Sequence, residues 1–249
     1  MRYMIMHKSN AHWETGASPS PELIERVRKL IAELAQAGAL LAGEGLRPTS
    51  QGLRMRFVKG ERMVIDGPFT ESKEVFAGFA ILRLKSLQEA VEHGVRFARV
   101  LAADLEIEVR PVTEPWDIGI GERPAGLTTR RYMCMHKYLD AADGCRLLSP
   151  AQAAEMGKLL QEMQSAGILL AGEGLDASAK GARLEKSRGG LPIVMDGPFT
   201  ESKEVLGGYV IVRSSSLDEA VEWAKRYIAV VGAEEVHVRL VVEAPGAVS

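Results

Sequence analysis

The chain has little of what usually announces a function. Two cysteines occur in 249 residues, Cys134 and Cys145. Neither has partners at metal-ligand spacing, so no disulfide framework is expected and a reducing compartment is. No apolar stretch approaches the roughly 20 residues that cross a bilayer. The N-terminal run Met1-Arg2-Tyr3-Met4-Ile5-Met6-His7 is too short for a signal peptide, so a cytoplasmic chain without membrane contact is expected. The net charge of −2 supplies no global field for nucleic acid. There is no Walker motif, no glycine-rich dinucleotide fingerprint and no nucleophile elbow. No cofactor is therefore expected.

What is there is a repeat. Asp66-Gly67-Pro68-Phe69-Thr70-Glu71-Ser72-Lys73-Glu74-Val75 returns unchanged as Asp196 to Val205, at an offset of 130 residues. Arg2-Tyr3-Met4-Ile5-Met6-His7-Lys8 returns as Arg131-Tyr132-Met133-Cys134-Met135-His136-Lys137, at an offset of 129. Leu40-Leu41-Ala42-Gly43-Glu44-Gly45-Leu46 returns as Leu169 to Leu175, also at 129. A repeat this long is a duplicated domain and not a solenoid module. The expected division is residues 1–113, a linker over 114–129 rich in glycine and proline, and 130–243.

Each copy shows the same order of elements. A short apolar strand at Tyr3 to His7 precedes a helix opened by Ser20-Pro21 and closed at Gly38. Leu23, Val27, Leu30, Ile31 and Leu34 form its apolar stripe. Ser149-Pro150 and Gly167 bound its counterpart, with Gln152 completing a capping box. A strand at Ala39 to Leu41, a hairpin around Lys59-Gly60, a strand at Phe76 to Leu84, a helix capped by Ser86 and Glu89, and a strand at Leu105 to Val112 follow. In copy two the hairpin turn is Ser187-Arg188-Gly189-Gly190, and Ser216 with Glu219 caps the last helix. This β-α-β-hairpin-β-α-β order is the ferredoxin-like split βαβ pattern, an α+β fold. Met4-Ile5-Met6 and Ala80-Ile81-Leu82 are apolar at both parities, so their strands are buried on both faces. Two tandem units stacked sheet to sheet give a pseudo-dimer like a dimeric α/β barrel.

The Arg-Tyr-Met strand, the Leu-Leu-Ala-Gly-Glu-Gly-Leu stretch and the Asp-Gly-Pro-Phe signature together resemble the YCII-related proteins, specifically their DGPF subgroup. The resemblance covers both halves. It implies a ferredoxin-like fold, a dimeric α/β barrel and an active site built on a His–Asp pair. One branch is similar to dehydrochlorinases of hydroxylated chloroaromatics, and some DGPF proteins resemble accessory proteins encoded beside extracytoplasmic-function sigma factors. Tandem copies depart from the usual single-domain form, which leaves open whether the halves pair with each other or across a homodimer.

The candidate chemistry sits at matched positions. Asp66 and Asp196 end strands before Gly-Pro, where a carboxylate serves as a base, orients a histidine, or closes an Asx-turn. Phe69 is expected to anchor that turn in the core, and Pro68 is expected in the commoner trans form, cis being about 5–6% of such bonds. His7 and His136 end the first strands at the parity of Tyr3 and Ile5. Each is either half of a His–Asp pair or a packed histidine bonded to the backbone. Glu44 and Glu173 lie between glycines, either presented to a cavity for substrate binding or on a bulge with positive φ. Arg83 and Arg213 either clamp a carboxylate or phenolate or pair with a glutamate. The run Glu71, Lys73, Glu74 and its copy Glu201, Lys203, Glu204 read as solvated loop. A metal site of His7, His12 and Asp66 has no parallel in copy two, where Ala141 stands for His12. Two functions follow. One is a small-molecule lyase or isomerase that moves a proton with His7/Asp66 and His136/Asp196. The other is a non-catalytic ligand-binding or regulatory module working with a sigma factor.

Overall fold

The computed structural model describes residues 1–69, 75–141, 145–187, 192–198 and 205–242. The charged runs of both decapeptides, Phe199 and most of the second hairpin turn lie outside these residues. Copy one contributes strands β1 (Arg2–Lys8), β2 (Leu40–Gly45), β3 (Leu53–Val58), β4 (Glu61–Asp66), β5 (Gly78–Leu84) and β6 (Leu105–Pro111). Its helices are α1 (Ala11–Glu14), α2 (Pro21–Gln36) and α3 (Leu87–Leu101). Copy two contributes β7 (Arg130–Tyr138), β8 (Leu169–Gly174), β9 (Ala182–Glu185), β10 (Ile193–Asp196), β11 (Leu206–Arg213) and β12 (Glu235–Leu240). Its helices are α4 (Pro150–Ser165) and α5 (Leu217–Val231).

The helices begin where the sequence places them. Ser20, Ser86, Ser149 and Ser216 each accept a backbone N–H from three residues on, satisfying a donor that the first turn leaves without a partner. Gln152 closes its box onto Ser149. Glu89 and Glu219 reach one residue further back than expected, onto the N–H of Lys85 and Ser215 at 2.8 Å. Gly38 and Gly167 follow α2 and α4 with φ of 66° and 69°. The short helix α1 was not expected and has no counterpart among the described residues of copy two.

Two six-stranded antiparallel sheets form, in the orders β10-β9-β12-β1-β11-β2 and β4-β3-β6-β7-β5-β8. Each sheet draws on both copies. β1 and β2 of copy one pair with β11 and β12 of copy two, while β7 and β8 pair with β5 and β6. The linker explains part of this exchange. β7 is the next strand after β6, reached through residues 112–129, and lies beside it with Leu105 opposite Tyr138 and Pro111 opposite Tyr132. Consecutive strands that neighbour each other are the commonest connection.

The layers are helices, sheet, sheet, helices. α3 and α4 cover one sheet through a core that includes Met55, Leu82, Ile107 and Tyr132. α2 and α5 cover the other through Tyr3, Ile5, Leu34, Val212 and Ala224. Between the sheets lie Met4, Met6, Ile81, Met133, Met135 and Ile211, with Phe79 and Tyr209 in ring contact at 5.2 Å. Both faces of the central strands are thus apolar and buried, as their lack of alternation predicts. The sheets meet at their corners through single bridges, Leu46–Val112 and Leu175–Val241, and no closed barrel forms. Among the described residues no helix is long and apolar enough to cross a membrane.

Candidate functional site

The strand exchange decides where the expected residues fall. His7 stands in the sheet of β1, and Asp66 in the sheet of β4; His136 and Asp196 are divided the same way. Each expected His–Asp pair is therefore divided between the two sheets. The combinations that share a sheet are also separated. Asp66 aligns through Leu53 and Val109 with Cys134, and Asp196 through Ala182 and Val238 with Ile5. Three strand spacings put each aspartate about 14 Å from the histidine-bearing strand. Both aspartates are exposed at the ends of edge strands.

The histidines keep the parity of Tyr3 and Ile5 and face the helices. His7 Nδ1 lies 2.7 Å from the Tyr227 hydroxyl of α5. Burial, reinforced by Arg110, pulls its pKa down to about 4. His136 packs edge-on against Tyr138. Burial lowers its pKa to about 4 as well, against a backbone hydrogen bond at Gly78. Cys134, buried beside it, has its thiol pushed up to about 12 by the same cause.

The Asp-Gly-Pro-Phe signature is first a packing device. A Cβ on Gly67 would lie 1.8 Å from the Thr49 carbonyl oxygen, and one on Gly197 1.9 Å from that of Ser178. Both glycine N–H groups donate to a neighbouring backbone, Gly52 and Gly181, at 3.0 Å. The following prolines are cis, against the expectation for Pro68. Phe69 is not sunk in the apolar core. It is half-buried and lies over the Arg54 guanidinium, 4.2 Å from the ring centre, a cation–π contact.

Glu44 and Glu173 are not on bulges of positive φ. They lie within the edge strands β2 and β8, and their flanking glycines are extended. Each carboxylate crosses to the opposite sheet, Glu44 to Arg131 and Glu173 to Arg2. Arg131 also holds Glu114 of the linker through two hydrogen bonds of 2.9 Å. Burial raises the Glu44 carboxyl above its usual range, against the pull of Arg131. These are seams between sheets. Arg83 and Arg213 are exposed on the strand neighbours of Arg131 and Arg2.

The concentrated polar chemistry lies elsewhere, on the inner faces of β3, β6 and β7 and of their counterparts β9, β12 and β1. In the first group Arg54, Glu106, Glu108, Arg110 and Lys137 are all buried. Arg54 donates twice to Glu108, at 3.0 and 3.1 Å. Lys137 and Arg110 approach within 3.6 and 3.5 Å of the same carboxylate. Burial alone would raise Glu108, but Lys137, Arg110 and Arg54 together hold it below its usual value. Phe76 caps Lys137 at 4.5 Å. Arg110 also reaches out of the network, donating to the carbonyls of Arg47 and Leu206.

The second group repeats it with one change. Arg183, Glu235, Arg239 and Lys8 occupy the places of Arg54, Glu106, Arg110 and Lys137, but His237 replaces Glu108. Sequence reasoning passed over His237. The available signal was the mismatch with Glu108 at an otherwise matched position. His237 Nε2 lies 2.5 Å from Glu235 Oε1. Lys8 pairs with the same oxygen, and Arg183 lies 3.4 Å from it. Burial would push Glu235 up, but the hydrogen bonds from His237 and Lys8 bring it down to about 2. Burial lowers the His237 pKa against Glu235. An ionised Glu235 places the ring proton on Nε2 and the lone pair on Nδ1. Arg239 is anchored to the Asp176 carbonyl. A cavity of about 20 Å³ opens here, lined by His7, Lys8, Phe76, Leu206, His237 and Arg239 among others. That is room for a water or one small polar group. Among the described residues no cluster of three or more His, Cys, Asp or Glu is placed to hold a metal.

The description of a YCII-related domain fits this chain twice, over residues 1–115 and 131–243. The chain belongs to the YCII-related family. It is also 33% identical over 97 residues to an uncharacterized protein of Rhizobium meliloti (strain 1021), covering 37% of this chain and 78% of that protein. The alignment has the length of a single copy. No solved structure matches the chain significantly. Within this YCII-related chain, then, two copies of one family domain share two sheets, and only one of the two inner polar clusters carries a histidine.

Proposed function

We propose that the chain is a small-molecule enzyme of lyase or isomerase type with one working site, in the half where β1 meets β12. The observation that carries this reading is the His237–Glu235 pair beside the cavity. A neutral imidazole held in one tautomer by an ionised carboxylate is a general base, and its protonated form a general acid. Lys8 and Arg239 line the same cavity and suit a carboxylate or phenolate group of the substrate. His7, kept neutral and bonded to Tyr227, borders the cavity from the helix-facing side of β1. The second reading, a non-catalytic ligand-binding module, rests on the same two cations, Lys8 and Arg239, at the cavity.

Proton abstraction can be followed without knowing the substrate in full. In D₂O, small 2-oxo acids and hydroxylated aromatic acids serve as probes, with loss of the C–H signal beside the acid group read by NMR. Exchange catalysed by the wild-type chain, and at least 100-fold slower in His237→Gln, is the expected result. Probes that bind, seen as a rise in Tm lost in Arg239→Gln, without exchange would favour the non-catalytic module.

A further inference from the structure

The two outer strands of the hairpins, β4 and β10, end their sheets, and the copies differ there. β4 runs six residues, Glu61-Arg62-Met63-Val64-Ile65-Asp66, and every one is exposed. Its three apolar residues are open to solvent, Met63 at 61%, Val64 at 42% and Ile65 at 39%. Among the described residues its backbone pairs with β3 and with no other strand. A long, apolar, open edge is a template for another strand, and proteins normally blunt it.

The copy-two edge is blunted. β10 has four residues, and Pro192 stands where β4 has Arg62. Proline has no N–H to offer a further strand. Although Ile193 and Val194 are exposed there too, the copy-two edge is therefore shorter and bounded by proline, and the copy-one edge is left open.

We propose that β4 is a homodimer interface, in which two copies of the chain join their sheets edge to edge through antiparallel β4 strands centred on Val64. The charge pattern of the strand supports this occupant. With Val64 opposite its own copy, Arg62 faces Asp66 of the second chain, and Met63 faces Ile65. Arg62, Val64 and Asp66 share one side of the strand, in register with Phe57, Met55 and Leu53 of β3. Two Arg–Asp pairs thus flank a central Val–Val contact, while the methionines and isoleucines pair on the other side. Pairing of β10 with itself would set Pro192 against Asp196 and lose both the hydrogen bonds and the ion pairs. The contact is isologous, so it closes at two chains and does not propagate into a fibre.

Sedimentation equilibrium of the full chain gives the first readout, a species of twice the chain mass that dissociates on dilution. Arg62→Asp weakens the association at least tenfold, and Arg62→Asp with Asp66→Arg restores it, because the reversed charges face each other again. Val64→Cys, oxidised at protein concentrations where the dimer forms, yields a covalent dimer, since facing Cα atoms of an antiparallel pair lie about 4.5–5.5 Å apart, within disulfide reach. Val194→Cys in β10 does not. Circular dichroism confirms that each variant folds, and the Val64→Cys cross-link decides if Arg62→Asp does not. A chain monomeric at all concentrations overturns the proposal. So does a dimer indifferent to Arg62→Asp, or equal cross-linking from Val64→Cys and Val194→Cys.

Discussion

The halves that carry β1 and β7 start from nearly the same strand and end with different chemistry. In the β7 half, Glu108 sits among Arg54, Arg110 and Lys137 as a buried and compensated network. In the β1 half, His237 takes that place, Glu235 alone receives Lys8, Arg183 and His237, and a cavity opens. The same contrast holds on the helix side. His7 meets the Tyr227 hydroxyl, whereas Phe97 occupies the matching place in α3. Duplication allows one cluster to become a structural fastener while its counterpart diverges. The lesson is that near-identity of the framework says little about its inner polar faces, where one substitution reassigns the role of several charges.

The largest expected effect separates the two networks. Glu108→Gln leaves three buried cations with one carboxylate between them and should cost about 3–5 kcal/mol in unfolding free energy, measured by denaturant titration. His237→Gln keeps a donor to Glu235 and should cost about 1 kcal/mol. Equal costs would erase the distinction between fastener and site.

A smaller effect concerns what the halves share. His7 and His136 are held near pKa 4 when folded, against about 6.5 when unfolded. Below pH 6.5 the unfolded chain takes up these protons first, so the stability they contribute is complete above pH 6.5 and lost as pH falls through 4. Each should account for about 3 kcal/mol over that window, and His7→Gln or His136→Gln should flatten the pH profile correspondingly. A profile that stays flat to pH 4.5 in the wild-type chain would contradict the burial of both rings.

The smallest effect returns to the helix-side difference. Tyr227→Phe should destabilise the chain by about 1 kcal/mol through loss of the His7 hydrogen bond. It should also move the His7 titration, followed by imidazole NMR, and leave that of His136 in place. A shift of both rings alike would mean that the two halves are coupled more tightly than their separate cores suggest.

Much of the fold was legible. Serine caps, terminal glycines and apolar periods are local signals, and they placed the four main helices and most strands. The strands around Ile5 and Ile81 read as buried on both faces because they do not alternate. β6 was harder. Leu105-Glu106-Ile107-Glu108-Val109-Arg110 alternates like a strand with one wet face, yet all of it is buried, because its charges neutralise each other between the sheets. Much less of the site was legible. His7 already shared the parity of Tyr3, and that parity pointed it toward the helices. His237 was visible only as a departure from Glu108, and nothing local marks that position as lining a cavity.

The sequence by itself determined a duplicated α+β chain with two buried sheets, because hydrophobic period and turn chemistry act over a few residues. Which copy's strands share a sheet was decided only in the tertiary structure. Arg2 to Lys8 and Arg131 to Lys137 are so alike that either fits between the same neighbours, and local preference cannot choose. The exchange then settled the rest. It split each expected His–Asp pair between two sheets and drew His237, Glu235 and Lys8 from both copies onto one inner face.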